Sequence, residues 1–302
     1  MKKITIVTVH YKSKDLTLQC LQSINKLKSK GFELETIVVN NNPQEKINDL
    51  KKKFPKFIFL ETKENLGFAG GYNLGMKKAF DDKADYIFII NNDTILDENL
   101  LVHLFKVAEK RKKAGLLSPK IYFAPGHEFH RDRYQESERG KVLWFVGGIV
   151  DWQNVLTQHR GVDEVDQGQY DQIEETDYIS GCAMLIKRKV IEKIGFLDKK
   201  YFAYYEDSDY SVRAKKAGFQ LLFVPQAKMW HFNASSSEVG GSLHDYYLTR
   251  NRLLFGLRYA PLRAKLALFK WGLSRLLIGR PWQKIGFRDF LINRFGKGSY
   301  EA

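Results

Sequence analysis

The sequence predicts an α/β fold: a mostly parallel central sheet with helices on both faces, followed by a helical, basic C-terminal segment. Three observations predict it. Short apolar runs rich in β-branched residues alternate with stretches of helical period as far as Lys112. The runs are apolar without a break, as in strands buried on both faces. Each run ends in a polar cluster, and in such sheets ligands bind beyond the carboxyl ends of the strands.

The first strand is residues 4–9, Ile-Thr-Ile-Val-Thr-Val. Asp15 then precedes a helix-period stretch with Leu16, Cys20, Leu21, Ile24 and Leu27 on one side, ended by Gly31. Residues 36–39 and 57–60 are the second and third strands. Residues 73–80 read as a helix, 86–90 as the fourth strand and 98–112 as a helix. The four polar ends are His10-Tyr11, Asn40-Asn41-Asn42, Asn65 onward and Asn91-Asn92-Asp93, which should gather into one site. After Pro119 the pattern changes. Residues 125–141 are highly charged and read as a loop, and 142–150 are apolar around Gly147-Gly148. Residues 178–186 form a buried strand containing Ser180-Gly181-Cys182. Residues 190–194 make a short helix closed by Gly195, and 208–217 a helix closed by Gly218. Residues 221–224 form a strand stopped by Pro225. From about Leu243 the chain is helical and basic.

With 302 residues, 44% of them apolar, the chain can bury a full core and is not disordered. Its two cysteines, Cys20 and Cys182, exclude a disulfide-dense scaffold and a cysteine-based zinc site. They fit a reducing compartment. Met1-Lys2-Lys3 runs straight into the first strand, which is too short and too β-branched for a signal peptide. No stretch of about 18 uncharged apolar residues is present, so no membrane-spanning helix is expected. The net charge of +14 is uneven. Residues 250–302 hold twelve Lys/Arg and two Asp/Glu, a net of +10, which leaves +4 on the first 249. Such asymmetry points to an anionic partner, nucleic acid or a membrane surface, or to a solvated basic face.

Several residues are candidates for chemistry. Asp93 follows the strand at 86–90, where a carboxylate can hold a hard divalent cation together with phosphate oxygens. It could equally cap a following helix. The segment Glu64-Asn65-Leu66-Gly67-Phe68-Ala69-Gly70-Gly71-Tyr72-Asn73 reads as a glycine-rich turn opening a helix, able to bring backbone N–H groups to a phosphate or serve only as a turn. It is neither a Walker A loop nor a GxGxxG fingerprint. Residues 201–209 set Glu206, Asp207 and Asp209 beside an aromatic run at a helix start. Those carboxylates either satisfy the helix N-terminus or give an acceptor hydroxyl a general base beside a sugar-binding wall. His231 is a structural histidine or a metal or phosphate ligand. His127 and His130 form an HxxH in the charged loop rather than on an apolar-faced helix, which argues against a metal site.

Taken together these residues resemble glycosyltransferase family 2, the inverting nucleotide-sugar transferases with a Rossmann-like GT-A fold. The resemblance runs from Ile4 to about His231 and rests on motifs in family order: His10-Tyr11, Val38-Val39-Asn40-Asn41-Asn42, the 64–73 loop, Asn91-Asn92-Asp93, Ser180-Gly181-Cys182 and Tyr204-Tyr205-Glu206-Asp207-Ser208-Asp209. Gly147-Gly148-Ile149-Val150-Asp151-Trp152, Arg160-Gly161 and Asp166-Gln167-Gly168-Gln169-Tyr170 look like the rhamnosyltransferase-like branch. The resemblance implies that Asp93 and His231 hold Mg²⁺ or Mn²⁺ on the donor diphosphate. His10, Tyr11, Asn40, Asn65, Gly67, Phe68, Gly70, Gly71, Asn73, Asn91 and Asn92 would contact the donor. Gly181, Cys182, Tyr204 and Tyr205 would line the acceptor side, and Asp207, with Glu206 second, would be the catalytic base. Two positions depart from the pattern: Asn91 stands where a first Asp often lies, and Asn40 where an Asp usually contacts the base. It further implies a nucleotide-sugar-binding half at 1–115, an acceptor-binding and catalytic half at 116–235 and a C-terminal amphipathic segment at 236–302. The donor would carry a dTDP-linked deoxysugar such as rhamnose, with UDP-sugars second, and the acceptor would be a glycan or lipid-linked saccharide of the cell envelope.

In the C-terminal segment Leu262, Leu266, Phe269, Leu273 and Leu276 recur at helical spacing, with Arg263, Lys265, Lys270 and Arg275 away from the stripe. With Trp271 and Trp282 this suits an interfacial helix on an anionic leaflet and a cytoplasmic enzyme at the inner face of the cell membrane. The stripe could instead pack on the catalytic domain or on a second copy in a homodimer. A sugar nucleotidyltransferase is a competing class, but it needs a glycine-rich basic loop after the first strand, where His10-Tyr11-Lys12-Ser13-Lys14 has no glycine. A nucleic-acid-binding protein would need a recognition motif that the sequence lacks.

Overall fold

The first apolar run forms β1 (Lys2–His10), buried on both faces from Ile4 onward. It is followed by α1 (Lys14–Ile24), β2 (Phe32–Asn40), α2 (Asn48–Lys53), β3 (Ile58–Glu61), α3 (Gly67–Asp81), β4 (Tyr86–Asn91), β5 (Thr94–Leu96) and α4 (Leu100–Lys110). Next come β6 (Ala114–Phe123), β7 (Leu143–Phe145), β8 (Gly148–Asp151), β9 (Leu156–His159), β10 (Glu174–Glu175), β11 (Ala183–Lys187), α5 (Arg188–Ile194), α6 (Glu206–Lys216) and β12 (Gln220–His231). The chain ends in α7 (Ser242–Tyr259), α8 (Leu262–Ile278) and α9 (Pro281–Leu291). The computed structural model describes residues 1–233 and 241–300. The expected boundary at 235/236 lies outside the described residues.

Among the described residues ten strands share one sheet in the order β10-β12-β6-β11-β4-β1-β2-β3, with β5 on β12 and β7 on β6. The pairs β1–β2, β1–β4, β2–β3 and β6–β12 are parallel. β11 runs antiparallel between β4 and β6. Strand alternation sends Ile4 and Ile6 to one face and Val7 and Val9 to the other. On the first face Cys20, Leu21, Leu101 and Leu104 of α1 and α4 cover the sheet. On the second, Tyr72, Met76, Val190 and Tyr210 of α3, α5 and α6 do so. Each fully buried Leu, Ile or Val contributes about 1.5–3 kcal/mol over leaving it in water.

The structure corrects several element expectations. The glycine-rich segment is not a turn before a helix: α3 starts at Gly67 and contains Gly70, Gly71 and Asn73. Asp93 caps no helix, because β5 follows it directly and α4 begins at Leu100. Ser180-Gly181-Cys182 precedes β11 rather than lying within it. β12 does not stop at Pro225; it slips register between Val224 and Lys228 and runs on to His231. β6 was masked in the sequence by Pro119 and Lys120. Lys120 is fully buried there, with Asp166 and Asp171 each 2.8 Å from its Nζ.

The C-terminal segment is not all surface. Leu253, Leu254 and Phe255 of α7 join the main core, and Tyr246 and Tyr247 cluster with Phe202 and Tyr300. The 262–276 stripe, by contrast, does not pack on the catalytic domain. α8 buries Ala264, Leu268 and Gly272, while Leu262, Leu266, Phe269, Leu273 and Leu276 are exposed. Neither tryptophan belongs to that stripe. Trp271 lies under Arg252 (4.4 Å) and Arg275 (5.3 Å), and Trp282 packs on Tyr300 at 5.0 Å.

Candidate active site

A cavity of about 1150 Å³ opens at the carboxyl ends of β1 and β4. Its walls come from Tyr11 after β1, Asn91, Asn92 and Asp93 after β4, the first turn of α3, the 180–182 turn, the start of α6 and His231 at the end of β12. Of the residues expected in the site, Tyr11, Asn65, Gly67, Phe68, Asn91, Asn92, Asp93, Gly181, Cys182, Tyr204, Tyr205, Glu206, Asp207 and His231 meet there.

Five do not reach the cavity wall. In β1 side chains alternate, so Val9 and Tyr11 face the cavity while His10 points away. His10 is fully buried, with Nδ1 2.8 Å from Thr17 Oγ1 and Nε2 3.2 Å from Glu45. Asn40 is likewise turned inward: its Nδ2 donates to Glu45 O and Glu61 Oε2, and its Oδ1 accepts from Asn42 N–H. The neighbouring Asn41 lines the cavity instead, its Oδ1 accepting from Leu66 N–H at 2.9 Å. Gly70 and Gly71 lie within α3, Gly71 against Val9 and Asn41. Asn73 ties α3 to Leu197 through both of its amide groups.

The start of α3 does not offer free N–H groups to a phosphate. Gly67 N–H donates to Asn65 Oδ1, and Phe68 and Ala69 N–H donate to Phe202 O at 2.6 and 3.3 Å. The phosphate-cradle reading of this loop therefore fails in this conformation, because protein acceptors already occupy the donors.

Asp93 and His231 face each other, with His231 Nε2 3.2 Å from Asp93 Oδ1. His231 is buried against Trp144, and its Nδ1 has no hydrogen-bond partner among the described residues. Two adjacent ligands of an octahedral cation at about 2.1 Å stand about 3.0 Å apart, so the pair fits one edge of a Mg²⁺-like shell. Among the described residues no group of three or more His, Cys, Asp or Glu is placed to hold a metal ion. The HxxH does not converge: His127 stacks edge-on against Phe232, while His130 is exposed and pairs with Asp163.

Across the cavity, Asp207 sits in the first turn of α6. Its Oδ2 accepts from Gly181 N–H at 2.9 Å, and its Oδ1 from Ser208 N–H at 2.6 Å. Burial pushes its pKa above the ordinary carboxylate value against these hydrogen bonds. Gly181 is packed under Phe68, since a Cβ there would fall 2.7 Å from that ring. Glu206 is more deeply buried, its Oε2 has no partner among the described residues, and burial with the adjacent Asp207 charge holds it well above the usual range. Cys182 and Cys20 are buried free thiols.

The sequence reading missed one wall. Trp144, Leu156, Thr157, His159 and Tyr178 line the cavity from β7, β9 and the segment before β11. Lone aromatics and a lone histidine in short strands give no local signal. Tyr247 of α7, Lys297 and Tyr300 close another side, which only the return of the C-terminal chain could reveal.

A family model described as Glycosyl transferase family 2 matches residues 5–195. The chain belongs to this family. The family 2 match ends before Asp207 and His231, so those two residues stand on the geometry. The chain is 25% identical over 196 residues to the N-acetylglucosaminyl-diphospho-decaprenol L-rhamnosyltransferase of Mycobacterium tuberculosis, covering 62% of each chain. It thus spans somewhat less than two thirds of that relative. Its fold resembles S. aureus TarS 1-349, with TM-score 0.59, 14% identity, and 96% of this chain and 79% of that one covered. It also resembles GalNAc-T7 solved with UDP, GalNAc and Mn²⁺, with TM-score 0.59, 15% identity, and 90% and 56% covered. The family 2 chain thus has the GT-A fold that the sequence predicts.

Proposed function

We propose that this family 2 chain transfers a sugar, with inversion, from a nucleotide donor to a hydroxyl of a glycan or lipid-linked saccharide in cell-surface polysaccharide assembly. One observation carries the reading: the Asp93–His231 pair and the partly buried Asp207 carboxylate line the same cavity at the sheet's carboxyl edge. Asp93 and His231 would hold a divalent cation, Mg²⁺ or Mn²⁺, which when bound stabilises charge on the departing nucleoside diphosphate. Manganese in the GalNAc-T7 structure supports a divalent cation, though not which residues hold it. Asp207 takes the proton from the acceptor hydroxyl, which attacks the anomeric carbon on the face opposite the leaving group. Gly181 and Ser208 orient its two oxygens for that step. Tyr204 and Tyr205 stand beside it on the acceptor side.

A dTDP-linked deoxysugar, rhamnose first, is the donor we favour, supported by the rhamnosyltransferase relative and the branch-like motifs. UDP-sugars stand second. The test is nucleoside diphosphate release from dTDP-rhamnose, UDP-glucose, UDP-galactose and UDP-N-acetylglucosamine, with a short prenyl-diphosphate-linked N-acetylglucosamine as acceptor. Wild type should turn over at least one donor, and Asp207→Asn should lose on the order of 10²–10⁴-fold, the usual share of a general base. Release of pyrophosphate instead would make the chain a nucleotidyltransferase.

The C-terminal surface suits a lipid-linked acceptor. The exposed stripe of α8 continues at its end into Leu277 and Ile278, which are 81% and 76% exposed. Arg263 and Lys270 share with Leu262 and Leu266 a shallow depression on the same helix. Apolar residues bordered by cations fit an anionic bilayer surface. Among the described residues no helix is long and apolar enough to cross a membrane. Wild type should co-sediment with phosphatidylglycerol vesicles and the pair Leu266→Asp/Phe269→Asp should not. Loss of a dimer in that pair, without any vesicle binding by wild type, would assign the stripe to a second copy.

A further inference from the structure

The loop leading into α6 is held in a costly conformation. Phe202, Tyr204 and Tyr205 have φ of 62°, 67° and 70°, and none is glycine. Left-handed backbone at such residues is strained and persists only where its surroundings impose it. Here α7 imposes it. Asn251 is fully buried, and the two N–H groups of its Nδ2 are shared among the carbonyls of Tyr201 (2.8 Å), Ala203 (2.7 Å) and Tyr204 (2.9 Å). Arg250 fixes that amide, its Nε donating to Asn251 Oδ1 at 3.0 Å. The same guanidinium is fully buried and gives Nη2 to the carbonyls of Lys200 and Tyr201, both at 3.2 Å.

The loop's other side touches both halves of the cavity. Phe202 O accepts the Phe68 and Ala69 N–H groups in the first turn of α3, and Gly67 lies so close that a Cβ would fall 2.5 Å from that oxygen. Tyr205 is the residue from which α6 starts, two before Asp207. Asp209, one turn into that region, is fully buried and accepts from Tyr259 OH of α7 at 2.7 Å. One strained loop thus joins the helix beside the expected donor site, the helix that carries the carboxylate and the C-terminal helix that binds them.

We propose that Asn251, fixed by Arg250, is a positioning residue: it holds residues 201–205 in their left-handed shape and so sets Asp207 at the cavity wall. This rests on Asp207 being the base. A merely structural asparagine would change stability. A positioning one changes turnover far more than nucleotide affinity, because α6 starts from the loop and carries Asp207 with it, whereas Asp93 and His231 stand at β-strand ends outside the loop. Displacement of a reacting group by about 1 Å can cost on the order of 10²-fold in rate.

The test compares full-length wild type, Asn251→Ala, Asn251→Ser and Asp207→Asn. The readouts are kcat with the best donor of the panel above, calorimetric Kd for the matching nucleoside diphosphate with Mn²⁺, and Tm. Asn251→Ala should lose on the order of 10²-fold in kcat, with Kd within about threefold of wild type. Asn251→Ser, which keeps one donor, should fall between the two. If Asn251→Ala does not fold, the serine variant decides on the same split. A kcat within about threefold of wild type overturns the proposal, and so does a parallel loss of kcat and nucleotide affinity that tracks the fall in Tm. Asp207→Asn separates the two readings: if it retains full turnover the base assignment fails and takes this inference with it. If it is inactive while Asn251→Ala is not, only the clamp fails.

Discussion

Two opposing effects act on Asp207, the base in the function we propose. Burial raises its pKa, while N–H groups from Gly181 and Ser208 pull the other way and fix its orientation. A base works only when deprotonated, so turnover is lost as pH falls through the raised value. The acid limb of the kcat profile should therefore lie above the ordinary aspartate range near about 4. A limb at or below that value would remove Asp207 from the role. Gly181→Ala tests the geometry rather than the charge. The added methyl meets the Phe68 ring at 2.7 Å, and the carboxylate's N–H donor must shift with it. Turnover should fall on the order of 10–10²-fold with little change in Tm, read by steady-state kinetics beside thermal melting. Asp93→Ala should abolish the Mn²⁺-dependent part of nucleoside diphosphate binding in calorimetry. Equal affinity with and without the ion in wild type would leave the Asp93–His231 pair a plain hydrogen bond.

At the scale of elements, the strands that broke the apolar pattern are those that carry special chemistry. β6 includes Lys120, whose fully buried ammonium is matched by Asp166 and Asp171. Asp171 is 60% exposed and adds little, but the Asp166 side chain is only 12% exposed. Burial alone would raise Asp166, yet hydrogen bonds from Lys120 and Tyr122 hold it below the usual range. That brace is therefore present above the ordinary aspartate pKa and is lost only as pH falls through the lowered value. Lys120→Met strands the carboxylate and should cost about 3–5 kcal/mol, measured from urea unfolding midpoints. A change within about 0.5 kcal/mol would show that water reaches Asp166 and the pair is not a structural brace. α3 makes a similar point. Its glycines serve close packing against β1 and Phe202, not an open phosphate cradle.

For the whole molecule, the basic C-terminal region splits into two jobs. Arg250, Arg252 and Arg258 of α7 turn inward, to the 200–201 carbonyls, the Asn154 and Val155 carbonyls, and Asp198 with Asp209. The outward charge of α8 borders the apolar stripe. Ending the chain at residue 240 would remove Tyr246, Leu253, Leu254 and Phe255 from the core, each 8% exposed or less. We expect that truncation to lose cooperative unfolding in urea, whereas the stripe pair Leu266→Asp/Phe269→Asp should melt within a few degrees of wild type. A truncated chain that still unfolds in one sharp transition would make the C-terminal helices a separate unit.

The sequence by itself determined the strand and helix rhythm of the first half, the polar edge at Asn91 to Asp93, and the pairing of Asp207 with an aromatic run, because period and residue type are local. It also located the exposed stripe of α8, since a helical face shows in spacing alone. It could not decide which member of Asn40-Asn41 faces the cavity, because a one-residue difference in strand phase exchanges the two faces. Nor could it show that Phe202 O occupies the Phe68 and Ala69 N–H groups of α3, or that Asn251 bonds to the loop before Asp207. Those contacts join residues 134 and about 50 positions apart, and only the folded chain brings their dipoles within hydrogen-bond reach.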